Sequence, residues 1–116
     1  MANKQKLHVV GLGGSLAARS TSLAALKIAL EGASEAGAET TLLDLRQLNL
    51  PIYQPDAVEA PEEVRRVVDL MYHADGLLWS SPMYNGTISG VFKNALDWLH
   101  LLGLGHLGLL RLLRAA

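Results

Sequence analysis

A cluster of hydroxyl side chains lies near the start of the chain, between a short apolar run and a segment with helical periodicity. Ser15, Ser20, Thr21 and Ser22 can donate hydrogen bonds, and Arg19 can add a charge-assisted pair to an anion. The N–H groups at a helix start and the helix dipole favour the same kind of ligand. The pattern suits a terminal monophosphate, and it is also the pattern of an ordinary helix cap.

The glycines of this loop do not match two other phosphate-binding motifs. A dinucleotide fingerprint that begins at Gly11 needs a glycine at position 16, where the chain has Leu16. A P-loop needs a Gly-Lys pair, which is absent from this loop. A loop that binds phosphate through hydroxyl groups is the remaining prediction.

A second loop with chemical character follows the apolar run Gly76–Trp79, which is typical of a buried parallel strand. Pro82 ends that strand because it cannot donate to a ladder, and Asn85-Gly86 is a turn dipeptide that tolerates positive φ. The next helix is predicted to begin near Ser89. Open α/β sheets form ligand sites in such loops, at the carboxyl ends of their strands. A ligand with a phosphate at one end and a flat ring at the other could span both loops.

The elements that position the first loop form a predicted βαβ unit with a right-handed crossover. Its strands are residues 7–12 and 40–45, and its helix is residues 21–36, closed by Gly37. The apolar positions of that helix are Leu23, Leu26, Ile28 and Leu30.

The rest of the pattern predicts a surface loop, a helix and a third strand. Residues 46–61 carry three of the four prolines and little periodicity, which indicates the loop. Pro61 suits the first turn of the next helix, and Glu62 and Glu63 suit the positive end of its dipole. The apolar face of this helix is predicted to be Val64, Val67, Val68 and Met71. The third strand is predicted at residues 76–80.

The second loop and its helix carry a family resemblance. Ser81-Pro82-Met83-Tyr84-Asn85-Gly86-Thr87, followed by Gly90, Lys93-Asn94-Ala95 and Asp97-Trp98-Leu99, resembles the signature of the NADPH-dependent FMN reductase family, which has a flavodoxin-like fold. The first loop is similar to that family's Gly-Ser-x-Arg-x-x-Ser phosphate loop, with Ser15, Ser20 and Ser22 in register. The family's arginine falls at Ala17, whereas this chain has Arg19.

This resemblance, which covers residues 7–103, implies a cofactor site for FMN. The residues implied for the phosphate are Ser15, Arg19, Ser20 and Ser22, and those implied for the flavin ring are Pro82, Met83, Tyr84, Asn85, Gly86 and Thr87. Met83 stands where glutamate is common in the family, and Ser89 stands where proline is usual. Both differences bear on substrate access more than on flavin binding.

The function implied is an oxidoreductase that takes hydride from NAD(P)H onto FMN and passes electrons to a small acceptor: a quinone, an azo compound or free flavin. No side chain needs to act as a general acid or base, because the cofactor supplies the chemistry. The alternative is a flavin-binding electron carrier or interaction module without NAD(P)H reactivity. The family works as dimers or tetramers, so Lys93 and Asp97, four apart on one helical face, form either a subunit contact or a solvated ion pair.

Composition and charge limit the kinds of protein and of partner that remain to be considered. The chain has 116 residues, 50% of them hydrophobic and 18% charged, which indicates a single globular domain, residues 1–116. A net charge of −1 gives no electrostatic reason to expect nucleic acid or a membrane surface as a partner. Cysteine is absent, and His8, His73, His100 and His106 have no metal-ligand spacing, so we expect no metal. At the start of the chain, the apolar run of residues 7–12 is too short for a signal core or a membrane span, and we expect a cytoplasmic protein.

The predicted fold is a doubly wound, flavodoxin-like α/β sheet that looks incomplete. Three of the five strands of that fold are recognisable, and residues 100–116 form a leucine-rich helix candidate instead of a further strand and flavin loop. We therefore expect that the chain is not a self-sufficient reductase domain. We expect it to be either a truncated or frameshifted product or part of a longer protein.

Overall fold

The structure is a computed structural model that describes residues 6–99. Within them three parallel strands form a sheet in the order β2-β1-β3, as predicted for a doubly wound, flavodoxin-like fold. The strands are β1 (His8–Gly13), β2 (Glu39–Asp44) and β3 (Gly76–Ser80). The helices are α1 (Thr21–Glu35), α2 (Leu45–Leu48), α3 (Glu62–His73) and α4 (Gly90–Trp98), and a separate hairpin consists of β4 (Met83–Tyr84) and β5 (Thr87–Ile88).

Alternate residues of β1 face opposite sides of the sheet, and different helices cover the two sides. Val10 and Leu12 are fully buried on the face covered by α3 and α4. Gly11 lies on the other face, where an added Cβ would come within 2.9 Å of both Leu26 and Leu30 on α1. Successive side chains point to opposite faces of a strand, so glycine on the second face lets α1 pack closely against the backbone.

The α3 and α4 side of the sheet holds the larger hydrophobic cluster. All four residues predicted to form the apolar face of α3 are buried, and Phe92, Ala95 and Trp98 of α4 join them. Full burial of one such aliphatic or aromatic side chain contributes about 1.5–3 kcal/mol relative to exposure, so this cluster contributes strongly to the stability of the described part of the chain.

The three strands end at the same level. In the ladder register Gly13 is paired with Asp44 on one side and with Ser80 on the other. The loops that follow β1, β2 and β3 therefore begin side by side at one edge of the sheet. This arrangement places the two predicted ligand loops next to each other.

Three details differ from the sequence-based expectations. The segment predicted as a loop from residue 46 begins with the short helix α2, which Asp44 caps by accepting a hydrogen bond from the Arg46 N–H at 3.0 Å. The loop after Pro82 contains the β4-β5 hairpin. Ile28 is 70% exposed, because two residues along a helix turn a side chain about 200° away from the buried Leu26.

The bounds of two strands also differ by one residue: those predicted at residues 7–12 and 40–45 are His8–Gly13 and Glu39–Asp44, and Leu45 lies in α2. Two other predicted features are confirmed. Gly37 closes α1 with a φ of 100°, and its N–H donates to the Ser34 carbonyl at 2.9 Å. The third strand spans the predicted residues. The helix candidate at residues 100–116 lies outside the described part of the chain. Among residues 6–99 no helix is long and apolar enough to cross a membrane.

Two glycine substitutions test how closely β1 and β3 approach. The Cβ of Gly13→Ala would lie 2.4 Å from the Ser80 carbonyl oxygen, so the two strands would have to separate. We expect a loss of about 1–3 kcal/mol in the free energy of unfolding, measured by urea denaturation. Gly32→Ala is the matched control because its Cβ meets nothing within 4 Å and alanine favours a helix interior, by about 0.5–1 kcal/mol. Equal effects of both substitutions would contradict this account of Gly13.

Candidate functional site

The hydroxyl groups of the first loop organise the loop itself. Ser15 is buried, and its Oγ accepts a hydrogen bond from the Ala17 N–H at 3.2 Å. Ser20 is the N-cap of α1: its Oγ accepts from the Leu23 N–H at 3.1 Å and lies 2.9 Å from the Ser22 Oγ. The alternative of an ordinary helix cap is thus realised at Ser20, and it leaves the Ser15 hydroxyl able to donate elsewhere. The Ser22 hydroxyl is able to do so when Ser20 is the donor in the Ser20–Ser22 pair.

The donors that remain suit an anion. The N–H groups of Thr21 and Ser22, the first two helical residues, have no acceptor within the helix, and the first turn of α1 contains no acidic side chain. Arg19 is exposed and forms no ion pair with another described residue. The donor set therefore fits a phosphate group.

Ser80, at the end of β3, joins this loop to the second one. Its carbonyl accepts a hydrogen bond from the Gly14 N–H at 3.1 Å, and its Oγ donates to the Ser22 carbonyl at 2.7 Å. The predicted phosphate loop is thus attached to the strand end from which the predicted ring loop continues. Ser80 was not among the site residues predicted from sequence, although its hydroxyl at a strand end was the available signal.

The predicted ring loop is a tight hairpin. Met83 is paired with Ile88 and Tyr84 with Thr87, which leaves Asn85-Gly86 as a two-residue turn. The φ angles of Asn85 and Gly86 are 52° and 82°, so the predicted positive φ is confirmed, and the two values are those that a type I′ turn requires.

The hairpin presents apolar surface to solvent. The side chain of Met83 is 76% exposed and that of Tyr84 is 50% exposed, while Pro82 is half-buried. Most side chains of this size and polarity in a small domain are covered by neighbours, and exposed apolar patches mark interaction sites. A flat ring that lies against the hairpin would cover such a surface.

The base of the hairpin is closed by two serines. Ser81 Oγ accepts a hydrogen bond from the Ser89 N–H at 3.0 Å and donates to the Pro82 carbonyl at 2.8 Å. Ser89 is 1% exposed, and its Oγ accepts from the Phe92 N–H at 3.3 Å as the N-cap of α4. Proline, which the family resemblance leads one to expect at this position, could not make the first of these bonds because it has no N–H.

An apolar groove adjoins the same edge of the sheet. It has a volume of about 510 Å³ and is lined by Leu16, Leu45, Asn49, Leu50, Ile52, Gly90, Val91 and Asn94. Its outer wall is held by α4: the Asn94 Nδ2 and the Trp98 Nε1 donate to the Pro51 carbonyl at 2.9 Å and 2.7 Å, and the Asn94 Oδ1 accepts from the Tyr53 N–H. Two residues of the signature motif thus hold the segment that follows α2.

Neither loop contains a metal centre. No group of three or more His, Asp or Glu side chains among residues 6–99 is arranged to hold a metal ion. The site consists of hydroxyl and N–H donors at one end and an exposed apolar hairpin at the other. These features define a flavodoxin-like sheet edge with a donor-rich loop beside the strand end that leads into an exposed apolar hairpin.

Sequence comparison gives the family. The sequence profile of the NADPH-dependent FMN reductases matches residues 7–109, and the chain belongs to that family. It is 37% identical over 94 residues to an NAD(P)H-dependent FMN reductase of Pseudomonas aeruginosa, covering 79% of this chain and 49% of that protein. Over 50 residues it is 46% identical to a 2-hydroxy-1,4-benzoquinone reductase of Burkholderia sp., covering 42% of this chain and 27% of the other.

Solved structures agree with the family assignment. The FerB NAD(P)H:(acceptor) oxidoreductase of Paracoccus denitrificans superimposes with a TM-score of 0.65 at 32% identity, over 81% of this chain and 50% of that one. An NAD(P)H:quinone oxidoreductase of Methanothermobacter marburgensis has a TM-score of 0.70 at 22% identity, over 83% of this chain and 54% of that one, and shares the fold. The chain therefore spans about half the length, or less, of the relatives it matches.

The buried cap at the base of the hairpin gives a stability prediction. Ser89→Ala removes the acceptor for the Phe92 N–H, and we expect a loss of about 0.5–2 kcal/mol in the free energy of unfolding. Ser34→Ala, at an exposed position on α1, should change it by less than about 0.5 kcal/mol. Urea denaturation of both variants provides the measurement, and a neutral Ser89→Ala would show that the cap contributes nothing.

Proposed function

We propose that the protein acts as an FMN-dependent NAD(P)H oxidoreductase that passes electrons to a small acceptor. The observation that carries the proposal is the attachment, through Ser80, of a loop of phosphate-type donors to the strand end that leads into an exposed apolar hairpin. Family membership supports the same cofactor. FMN has a phosphate at one end and a flat ring at the other, which is the combination that these two loops suit.

The roles of the residues follow from their chemistry. Ser15 and Ser22 supply hydroxyl donors to the phosphate, together with the N–H groups at the start of α1, and Ser20 holds that helix start in place. Arg19, exposed beside these donors, adds a positive charge for the phosphate. The hairpin residues, Pro82, Met83, Tyr84, Asn85, Gly86 and Thr87, form the surface for the ring. The flavin, when bound, supplies the redox chemistry, and the chain supplies placement.

The proposed acceptors are quinones, azo compounds and free flavin. Related proteins bear the names 2-hydroxy-1,4-benzoquinone reductase, NADPH azoreductase and FMN reductase (NADPH). The apolar groove at the sheet edge has mainly aliphatic walls and no charged lining residue, which favours an uncharged acceptor over an anionic one.

The function is tested on the purified chain with added FMN. Flavin absorbance that comigrates with the protein, and NADPH oxidation above the free-flavin background, would support the proposal. Flavin binding without NADPH oxidation would favour the electron carrier or interaction module instead. Absence of flavin binding would overturn both readings.

We further propose that the protein assembles as a homodimer or homotetramer through the exposed face of α4. Lys93 and Asp97 form an ion pair on that face, with side chains 61% and 36% exposed. An exposed ion pair of this kind contributes little to the stability of a monomer. We therefore assign it to a contact between subunits. Light scattering of the purified protein measures the assembly, and a monomer at working concentration would contradict the proposal.

A charge placed at the helix cap separates phosphate binding from folding. In Ser20→Asp the carboxylate can still cap the Leu23 N–H, so the free energy of unfolding should change by less than about 0.5 kcal/mol. Its negative charge opposes a phosphate, and we expect FMN binding to weaken at least about tenfold.

Ser20→Asn is the matched control, because asparagine also caps a helix but carries no charge. FMN binding, followed by fluorescence titration, should be weakened much less by Ser20→Asn than by Ser20→Asp. Equal FMN affinity in the two variants would place the phosphate elsewhere.

A further inference from the structure

Ser80 uses both of its polar groups on the loop that precedes α1. Its carbonyl bonds to Gly14 at the start of that loop, and its hydroxyl bonds to Ser22 at the end of the loop, at 3.1 Å and 2.7 Å. The loop therefore leaves β1 and enters α1 with both of its ends attached to one residue of β3. The hydrogen bond to the Ser80 carbonyl involves only backbone atoms and does not require the serine side chain. The hydrogen bond from the Ser80 hydroxyl does require it.

The position of Ser80 in the chain makes this contact relevant to the ligand site. Pro82, two residues further on, immediately precedes the hairpin that presents the apolar surface. Ser22 lies in the first turn of α1, the end of the helix whose free N–H groups favour an anion. One hydroxyl group thus connects the strand that leads to the ring loop with the helix end that faces the phosphate.

We propose that Ser80 is a positioning residue that sets the spacing between the phosphate loop and the ring loop. This inference depends on the proposed FMN site. A ligand that contacts both loops benefits from a fixed spacing, because the cost of ordering the two loops relative to each other has been met before binding. A ligand that contacts only one loop gains nothing from that spacing.

FMN and riboflavin form a matched pair of probes, because they differ only in the phosphate. The ratio of the riboflavin Kd to the FMN Kd measures the contribution of the phosphate in each variant. Removing the Ser80 hydroxyl should weaken FMN binding and leave riboflavin binding unchanged. A merely structural role would weaken both ligands together.

The experiment measures both dissociation constants by flavin fluorescence for the full chain and for Ser80→Ala. We expect the Kd for FMN to rise about tenfold and the Kd for riboflavin to change less than about twofold, so that the ratio falls about tenfold. Urea denaturation without ligand shows whether the variant remains folded.

A pair of variants at Ser80 and a control variant at the neighbouring residue test the proposal further. Ser80→Thr and Ser80→Val have side chains of the same size, and only threonine keeps the hydroxyl, so threonine should restore the ratio and valine should not. This pair replaces Ser80→Ala if that variant fails to fold. Ser81→Ala is the neighbouring control: its hydroxyl closes the hairpin alone, so both ligands should weaken equally and the ratio should stay constant.

Several outcomes would overturn the inference. If Ser80→Ala weakens both flavins equally, or neither, the hydroxyl does not set the spacing. Equal ratios in Ser80→Thr and Ser80→Val would lead to the same conclusion. A wild-type chain that binds no FMN would remove the proposed function itself, which distinguishes that failure from the failure of Ser80 alone.

Discussion

Parallel pairing of β1 with both of its neighbours is the constraint on which the candidate site depends. The register ends the three strands at one level, with Gly13 paired to Asp44 and to Ser80. Evenly spaced ladder bonds fix this register along the whole strand, and a slip by one residue would turn Val10 and Leu12 away from the core. The hydrophobic core and the alignment of the loops are therefore specified by the same pairing.

The glycines of β1 make that pairing compatible with a helix on the second face. An added Cβ at Gly11 would meet two leucines of α1, and one at Gly13 would meet the Ser80 carbonyl. Close packing of α1 brings the start of that helix to the level of the strand ends. The anion-favouring end of α1 and the end of β3 are near enough for a direct hydrogen bond between Ser80 and Ser22 because of this close approach.

The serines at this edge of the sheet form structural bonds within the chain. Ser20 caps α1, Ser89 caps α4, and Ser81 closes the hairpin. Because these bonds form within the chain itself, the loops are ordered without a ligand, and ordering them on binding costs little. The hairpin differs in that Met83 and Tyr84 leave apolar surface exposed. Covering such apolar surface contributes about 25 cal/mol per Å², and the proposed contact with a flat ring would be stabilised in this way.

The sequence by itself determined the order of the main elements. The third strand and Gly37 as the end of α1 were predictable from local pattern, as was the buried face of α3, because periodicity and glycine chemistry act over a few residues. The signature around Asn85-Gly86 also indicated the family, which the profile match over residues 7–109 shows. The positive φ values at this turn follow from the residue types alone.

Only the tertiary structure decided how these pieces meet. The contact of Ser80 with Ser22 spans 58 residues, and those of Asn94 with Pro51 and Tyr53 span 43 and 41. Such bonds form between groups that local pattern treats as independent, since their partners come within reach only after β1 has paired with both neighbours and the helices have packed on the sheet.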